Sequence, residues 1–270
     1  MALDRHESIS VFNIDGTSGL VLCCEHASYR IPQRLGGLVA PEDSRRHIAW
    51  DPGACGVAAI LSRLLDATLI SSTVSRLVID CNRDPADADS ISVISETTEI
   101  PGNRDITAEE RARRIRDVYN PFHHALAEVL DAKATKKSVG LASIHSFTPN
   151  FRGIRRPWDV GIIFDDNDGF ARPIVNDLKR CKSRNGNILC VGVNEPYSPR
   201  DRVYHTIGRH ASSLGRPGLM IEIRNDLIAD AADQEWWADM FANILSCAIT
   251  RGDVPVTASD AMTSRIARGS

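Results

Sequence analysis

Short apolar runs of strand length alternate along the chain with longer stretches in which apolar residues recur every three or four positions. Gly19–Cys24 (GLVLCC) is apolar throughout, the pattern of a strand buried on both faces. Pro52–Asp66 has helical spacing, with Asp51 placed to cap it. Ala67–Ser71 and Leu77–Cys81 predict two more strands. Asn82–Arg104 is rich in Asp, Ser, Pro and Gly and predicts a long loop, which in a compact enzyme is usually functional or mobile. Thr107 and Glu110 make a T-x-x-E capping box at the start of a helix running to about Ala134. Four arginines near its start oppose the helix dipole, and Pro121 predicts a kink or a split.

Val139–His145, Val160–Phe164, Ile188–Val193 and Gly218–Ile223 complete the predicted strands. Ala171–Lys182 and Ala229–Thr250 complete the helices, the latter with Trp236, Trp237, Met240 and Phe241 turned toward a sheet. Such alternation predicts an α/β three-layer sandwich around a central, largely parallel sheet. With no repeat and no low-complexity linker, residues 1–258 read as a single domain, followed by a polar tail over 259–270.

Composition adds little beyond this. At 270 residues, 43% hydrophobic and 25% charged, the chain can bury a sizeable core. A net charge of −3 gives no basic surface for nucleic acid or membrane. The first residues, MALDRHESIS, do not read as a secretory signal, and no apolar run is long enough to span a bilayer. Seven cysteines, none at C-x-x-C spacing and most in apolar runs, read as reduced and buried. Together these features predict a cytoplasmic protein.

In α/β sheets ligands bind outside the carboxyl ends of the strands, so the residues just after each apolar run are the ones to inspect. Those are Glu25-His26, Asn82-Arg83, His145-Ser146 and Glu222-x-Arg224. Two neutral imidazoles and a carboxylate are the usual ligands of a hydrolytic zinc. A further carboxylate can serve as general base, and arginine matches a substrate carboxylate with a two-pronged fork. His205 and His210 precede the last strand in a Gly/Ser-rich stretch and read first as surface histidines, the alternative being that one approaches the rim to donate to an oxyanion. His47 lies four residues before Asp51, but Pro52 disfavours the helix that would pair them. His123 and His124 fall mid-helix, as structural or solvent-facing residues. No nucleophile elbow, P-loop or dinucleotide fingerprint is present.

The segments VLCCEHASYRIP, HIAWDPGA, SRLVIDCNRDP, SIHSF and MIEIRND, in that order from Val21 to Asp226, resemble the N-formylglutamate amidohydrolase family. That family is similar to zinc carboxypeptidases and aspartoacylases. The resemblance implies a phosphorylase/hydrolase-like fold with a mixed sheet, one zinc and a carboxylate base. By that analogy His26 and His145 are metal ligands and Glu222 is the base. Asn82 and Arg83 hold the substrate's carboxylate, with Arg76 a second anion contact and Arg224 and His205 further candidates. The implied reaction is hydrolysis of N-formyl-L-glutamate to formate and glutamate. Another N-acyl amino acid or small peptide, or a binding protein without activity on the same fold, are the alternatives.

One departure stands out. The carboxypeptidase-type first motif, His-x-x-Glu, needs Glu at position 29, which here is Tyr29. Asp51 is the first choice for the missing ligand. Glu25 is the second, since neighbours in a strand point to opposite faces and Glu25 cannot easily share a metal with His26.

Overall fold

The computed structural model describes residues 7–250 apart from 136–137 and 167, with the side chain of residue 250 not described. The expected tail at 259–270 lies outside the described residues.

Seven strands form one mixed sheet: β1 (Ile9–Phe12), β2 (Leu20–Cys24), β3 (Leu69–Ser72), β4 (Gly140–Phe147), β5 (Val160–Ile163), β6 (Val191–Val193) and β7 (Gly218–Arg224). Their order is β1-β3-β2-β4-β7-β5-β6. The four central strands, β3, β2, β4 and β7, run parallel. β1 and β5 join them antiparallel, and β6 pairs parallel with β5. β4 is buried at all eight positions, as a strand with parallel neighbours on both edges and helices over both faces must be.

Among the described residues the α-helices are α1 (Ala54–Leu64), α2 (Ala108–Arg114), α3 (Asn120–Ala134), α4 (Ala171–Leu178), α5 (His205–His210) and α6 (Ala231–Thr250). Helices α1, α4 and α6 bury apolar stripes against one face, where Leu61, Ile174, Trp237 and Phe241 meet Leu22, Ile144 and Ile221 of the sheet. On the other face, α3 and α5 place Phe122, Leu126 and Ile207 against Val21, Leu141 and Met220. Strand alternation thus sends residues of opposite parity into two separate cores. Among the described residues no helix is long and apolar enough to cross a membrane.

The sequence-based expectations need five corrections. β1 is an added edge strand. Leu77–Cys81 is buried but is not a strand. It pairs with no strand among the described residues, and its backbone is held by loop carbonyls, Val78 N donating to Ser75 O and Asp80 N to Ser90 O, and by side chains. Asn103 Nδ2 donates to Leu77 O at 2.9 Å and Arg114 Nη1 donates to Val78 O at 3.0 Å. Asp51 does not cap α1. Gly53 occupies that position at φ 81°, and a Cβ there would lie 2.3 Å from Ile228 O. The capping box is half made. Thr107 accepts from Glu110 N, but the Glu110 carboxylate pairs with Arg34 and Arg114. Lastly, Cys23, Cys24 and Cys81 are buried, but Cys190 and Cys247 are exposed; all the cysteines are free.

Pro121 behaves as its chemistry requires. A π-helical turn, Ile115–Tyr119, joins α2 to α3 without a break, and Pro121 follows it directly, so the hydrogen-bond ladder changes its spacing just before the residue that has no N–H to give. The loop 82–104 folds into two 3-10 turns, Ala88–Ile91 and Pro101–Asn103, and between them a small hairpin pairing Ile94–Ser95 with Thr98–Glu99. A second small hairpin pairs Asn150–Phe151 with Ile154–Arg155.

Candidate active site

The carboxyl ends of the parallel strands open into a cleft of about 380 Å³. The 94–99 hairpin contributes Ile94 and Glu96 to its wall, and the 150–155 hairpin contributes Phe151 and Arg152. His26, Asp51, His145 and Glu222 form its floor, and all four are buried.

Each of these side chains arrives by a definable route. β4 carries His145 two residues before its end at Phe147, on the same side of the sheet as Leu141 and Ser143. β7 runs parallel beside it, in a register that opposes Glu222 to His145. β2 stops at Cys24, so His26 sits in the turn that follows. Asp51 N bonds His26 O at 2.9 Å, which carries the Asp51 side chain into the same turn.

Asp51 is the hub. Its Oδ2 lies 2.8 Å from His145 Nδ1 and 3.3 Å from His26 Nδ1, and it accepts from Ser146 N. The far nitrogen of each imidazole is anchored by another carboxylate. His26 Nε2 is 2.7 Å from Asp80 Oδ1, and His145 Nε2 is 3.2 Å from Glu25 Oε2 and 2.7 Å from Ser143 Oγ. Ser143 in turn donates to Glu25 at 2.6 Å. His26, Asp51 and His145 each offer one ligand atom, all within 4.8 Å of one another. Two Nδ1 atoms converging on a carboxylate, with both Nε2 atoms held by acidic partners, is the donor set that a divalent ion such as zinc takes.

The electrostatics agree. Burial works against protonation of both imidazoles, but the surrounding carboxylates win and raise both pKa values. Burial would also raise Glu25, yet His145 and Ser143 hold it down to about 2. Asp51 and Asp80 are likewise lowered, by His26 and His145 for the one and by Arg76 and His26 for the other. Glu222 goes the opposite way: burial lifts it to about 7. Its Oε2 is buried with no hydrogen-bond partner, an orphan lone pair at the cleft floor.

The remaining predicted residues divide. Arg76 lines the cleft, but its guanidinium is taken by Asp80 at 2.7 Å and Asp51 at 3.5 Å. Asn82 and Arg83 also line it. The Asn82 amide is engaged with Val203 O and Thr206 N, and Arg83 donates to Arg202 O. Arg224 does not line the cleft; it is clamped between Asp159 and Asp226. His205 does not line it either, because α5 turns it toward Tyr119, 2.6 Å from the phenol oxygen. His123 and His210 are buried partners at 2.8 Å rather than solvent-facing. Tyr29 is 40% exposed, edge-on to Trp50 and under Arg45, and does not approach the floor.

Three contributors were not picked out from the sequence. Asp80 closes the predicted strand LVID, where its carboxylate looked like a strand end. Ser143 and Tyr197 carry no local signal. Tyr197 reaches the cleft wall because Gly161 and Gly192 let the Glu195 carbonyl lie against the sheet. A Cβ on either would meet that oxygen at 2.0 or 2.6 Å.

A mixed α/β sheet with a buried His–Asp–His cluster and an orphan glutamate at its strand ends has the build of a hydrolase. Comparison narrows the class. The N-formylglutamate amidohydrolase family model matches residues 18–229, and the chain belongs to that family. Among solved structures, a gene product of Agrobacterium tumefaciens is 37% identical, with a TM-score of 0.85 over 90% of this chain and 95% of that one. An N-formylglutamate amidohydrolase from Ralstonia eutropha JMP134 is 22% identical, with a TM-score of 0.69 over 90% of this chain and 97% of that one, and shares the fold. None of the curated proteins matches the chain.

Proposed function

We propose that the protein hydrolyses the amide bond of an N-acyl amino acid in a metal-dependent reaction, with N-formyl-L-glutamate as the leading substrate. The observation that carries this reading is the convergence of His26, His145 and Asp51 beside a buried glutamate with an unpaired oxygen. His26, Asp51 and His145 would hold a divalent ion, with zinc favoured by the nitrogen and oxygen donors. Such an ion supplies Lewis acidity to the acyl carbonyl and makes a water acidic enough to attack at neutral pH.

The chain's own residues supply the rest. Glu222 takes a proton from the attacking water and delivers it to the departing amine nitrogen. A carboxyl lifted to about 7 is half ionised near neutrality, which suits both halves of that task. Asp80 and Glu25 hold the two imidazoles at their far nitrogens, and Arg76 holds Asp80. Asn82 and Arg83, on the cleft wall, help to position the substrate.

The test pairs metal analysis of freshly purified protein with formate release from N-formyl-L-glutamate, before and after chelation. About one zinc per chain and chelator-sensitive formate release are expected. Bound metal without formate release would move the substrate to another N-acyl amino acid. Absence of both would sink the hydrolytic reading.

A further inference from the structure

Tyr197 lines the cleft together with Glu222, Arg76 and His26. A phenol has lone pairs to accept with and one hydrogen to give. The acceptor side of Tyr197 is taken: Arg156 Nη1 donates to its Oη at 3.2 Å. Among the described residues nothing accepts its hydrogen. Glu222 and Arg76 both act electrostatically on the phenol oxygen, which puts that oxygen on the floor side of the wall. Burial raises the pKa of the phenol and Glu222 adds to the rise, so the hydrogen stays in place at neutral pH.

Arg156 stands behind this wall. It is buried and does not itself line the cleft. Among the described residues no carboxylate pairs with it, whereas the other buried arginine, Arg114, has Glu110 at 3.0 Å. Its second acceptor is the carbonyl of Thr148, at 3.4 Å, and its guanidinium lies against the rings of Phe151 and Tyr197, with centroids at 4.6 and 4.8 Å. Withdrawing a cation from water without a counter-ion is costly. Behind a phenol such a cation has an effect: it fixes the oxygen and polarises the O–H into a stronger donor. The cleft therefore holds an open acceptor, Glu222 Oε2, and an open donor, Tyr197 Oη.

We propose that Tyr197 is a further catalytic residue, donating a hydrogen bond to the acyl oxygen of the substrate as the acyl carbon becomes tetrahedral, with Arg156 as the positioning residue that aims and polarises it. The assignment rests on the hydrolytic reading given above. As the water oxygen bonds to the acyl carbon, the carbonyl π pair moves onto the acyl oxygen and Glu222 takes the water's proton. Tyr197 donates to that oxygen and keeps its own proton throughout. The pair then re-forms the C=O bond, the C–N bond breaks with its electrons on nitrogen, and Glu222 gives the proton to the amine. A donor aimed where negative charge develops acts on the transition state more than on the bound substrate.

The test is steady-state hydrolysis by wild type, Y197F, R156M and the double variant, on a panel of N-formyl and N-acetyl amino acids that includes N-formyl-L-glutamate. Metal content and thermal unfolding of each protein are recorded. Y197F should lower kcat about 10²- to 10³-fold, the value of one oxyanion donor, with KM and metal content unchanged. R156M should lower kcat by less, because the phenol is still present. The double variant should be no slower than Y197F, since Arg156 acts through the phenol. If R156M fails to fold, R156K completes the cycle. Near-normal kcat in Y197F would overturn the inference, and so would a defect confined to KM. Losses that multiply in the double variant would overturn the part given to Arg156. Wild type that cleaves nothing in the panel would overturn the hydrolytic reading and this inference with it. Wild-type turnover matched by Y197F would overturn this inference alone.

Discussion

Glu222 and His145 are register partners on adjacent parallel strands, and the cleft drives their pKa values up for different reasons. His145 is raised against burial by Glu25 and Asp51, so it favours its charged form. Glu222 is raised to about 7 by burial itself, so it favours its neutral form. A carboxyl that hovers near neutrality beside a cluster of ionised carboxylates is set apart for proton transfer.

Replacing Glu222 with Gln keeps the shape and removes the base. Turnover of N-formyl-L-glutamate, followed as formate release, should fall about 10²- to 10⁴-fold, the usual contribution of general acid–base catalysis. Metal content should be retained. Near-normal turnover in E222Q would remove Glu222 from the mechanism.

The same shift has a stability signature in metal-free protein. Between the ordinary carboxyl value of 4.5 and about 7, folded Glu222 keeps a proton that the unfolded chain has released. Stability therefore falls as pH rises through that window. E222Q escapes the loss, so its stability relative to wild type should be greater at pH 8 than at pH 5, by roughly 3 kcal/mol. Urea unfolding of both proteins at the two pH values reads this directly. A pH-independent difference would contradict a neutral, buried Glu222.

The histidine pair under the cleft has the opposite sign. Burial holds His210 down to about 4, and His123, which donates to Cys81 O at 2.9 Å, is lowered for the same reason. Both are neutral when folded, so their stabilising effect is present above pH 6.5 and is lost as pH falls toward 4. The contribution of this pair should shrink on acidification from pH 7 to 5, so the stability of wild type relative to H210Q should be lower at pH 5 than at pH 7. Parallel acid profiles for the two proteins would exclude the pair as the source.

Removing a ligand should separate binding from chemistry. D51N and H145A should retain little metal after dialysis. D80N, which weakens the anchor of His26 and the pairing with Arg76 but removes no candidate ligand, should weaken metal affinity about 10- to 100-fold. E222Q serves as the control, since it leaves the three candidate ligands in place. Full metal occupancy in D51N would return the search for the third ligand to Glu25.

Asn103 tests the correction made at Leu77–Cys81. Its amide donates to the carbonyls of both Leu77 and Ser92, at 2.9 and 2.8 Å. N103A should leave these acceptors unpaired and cost about 1–3 kcal/mol in chemical denaturation. A negligible change would mean that water replaces the amide there.

Periodicity alone located the central strands and most helices of this chain, because parallel strands covered on both faces must be apolar throughout and helices on a sheet must be striped. It failed at Leu77–Cys81 because an apolar run reports burial, and burial does not require a strand partner. The strand-end rule located His145 and Glu222, whose direction is fixed by alternation with the core residues before them, and His26 in the turn just past a strand. The family resemblance, through the segment HIAWDPGA, brought Asp51 forward when Tyr29 stood in place of glutamate. What tertiary structure decided was which charges are already spent. Arg76, Arg224 and His205 carry the right chemistry, but Asp80, Asp226 and Tyr119, distant or unremarkable in the sequence, occupy them. Arg156 looks like any other arginine along the chain. Only packing shows that three aromatic rings surround it and that no carboxylate among the described residues pairs with it, because pairing and desolvation are properties of neighbours that the chain brings together only when it folds.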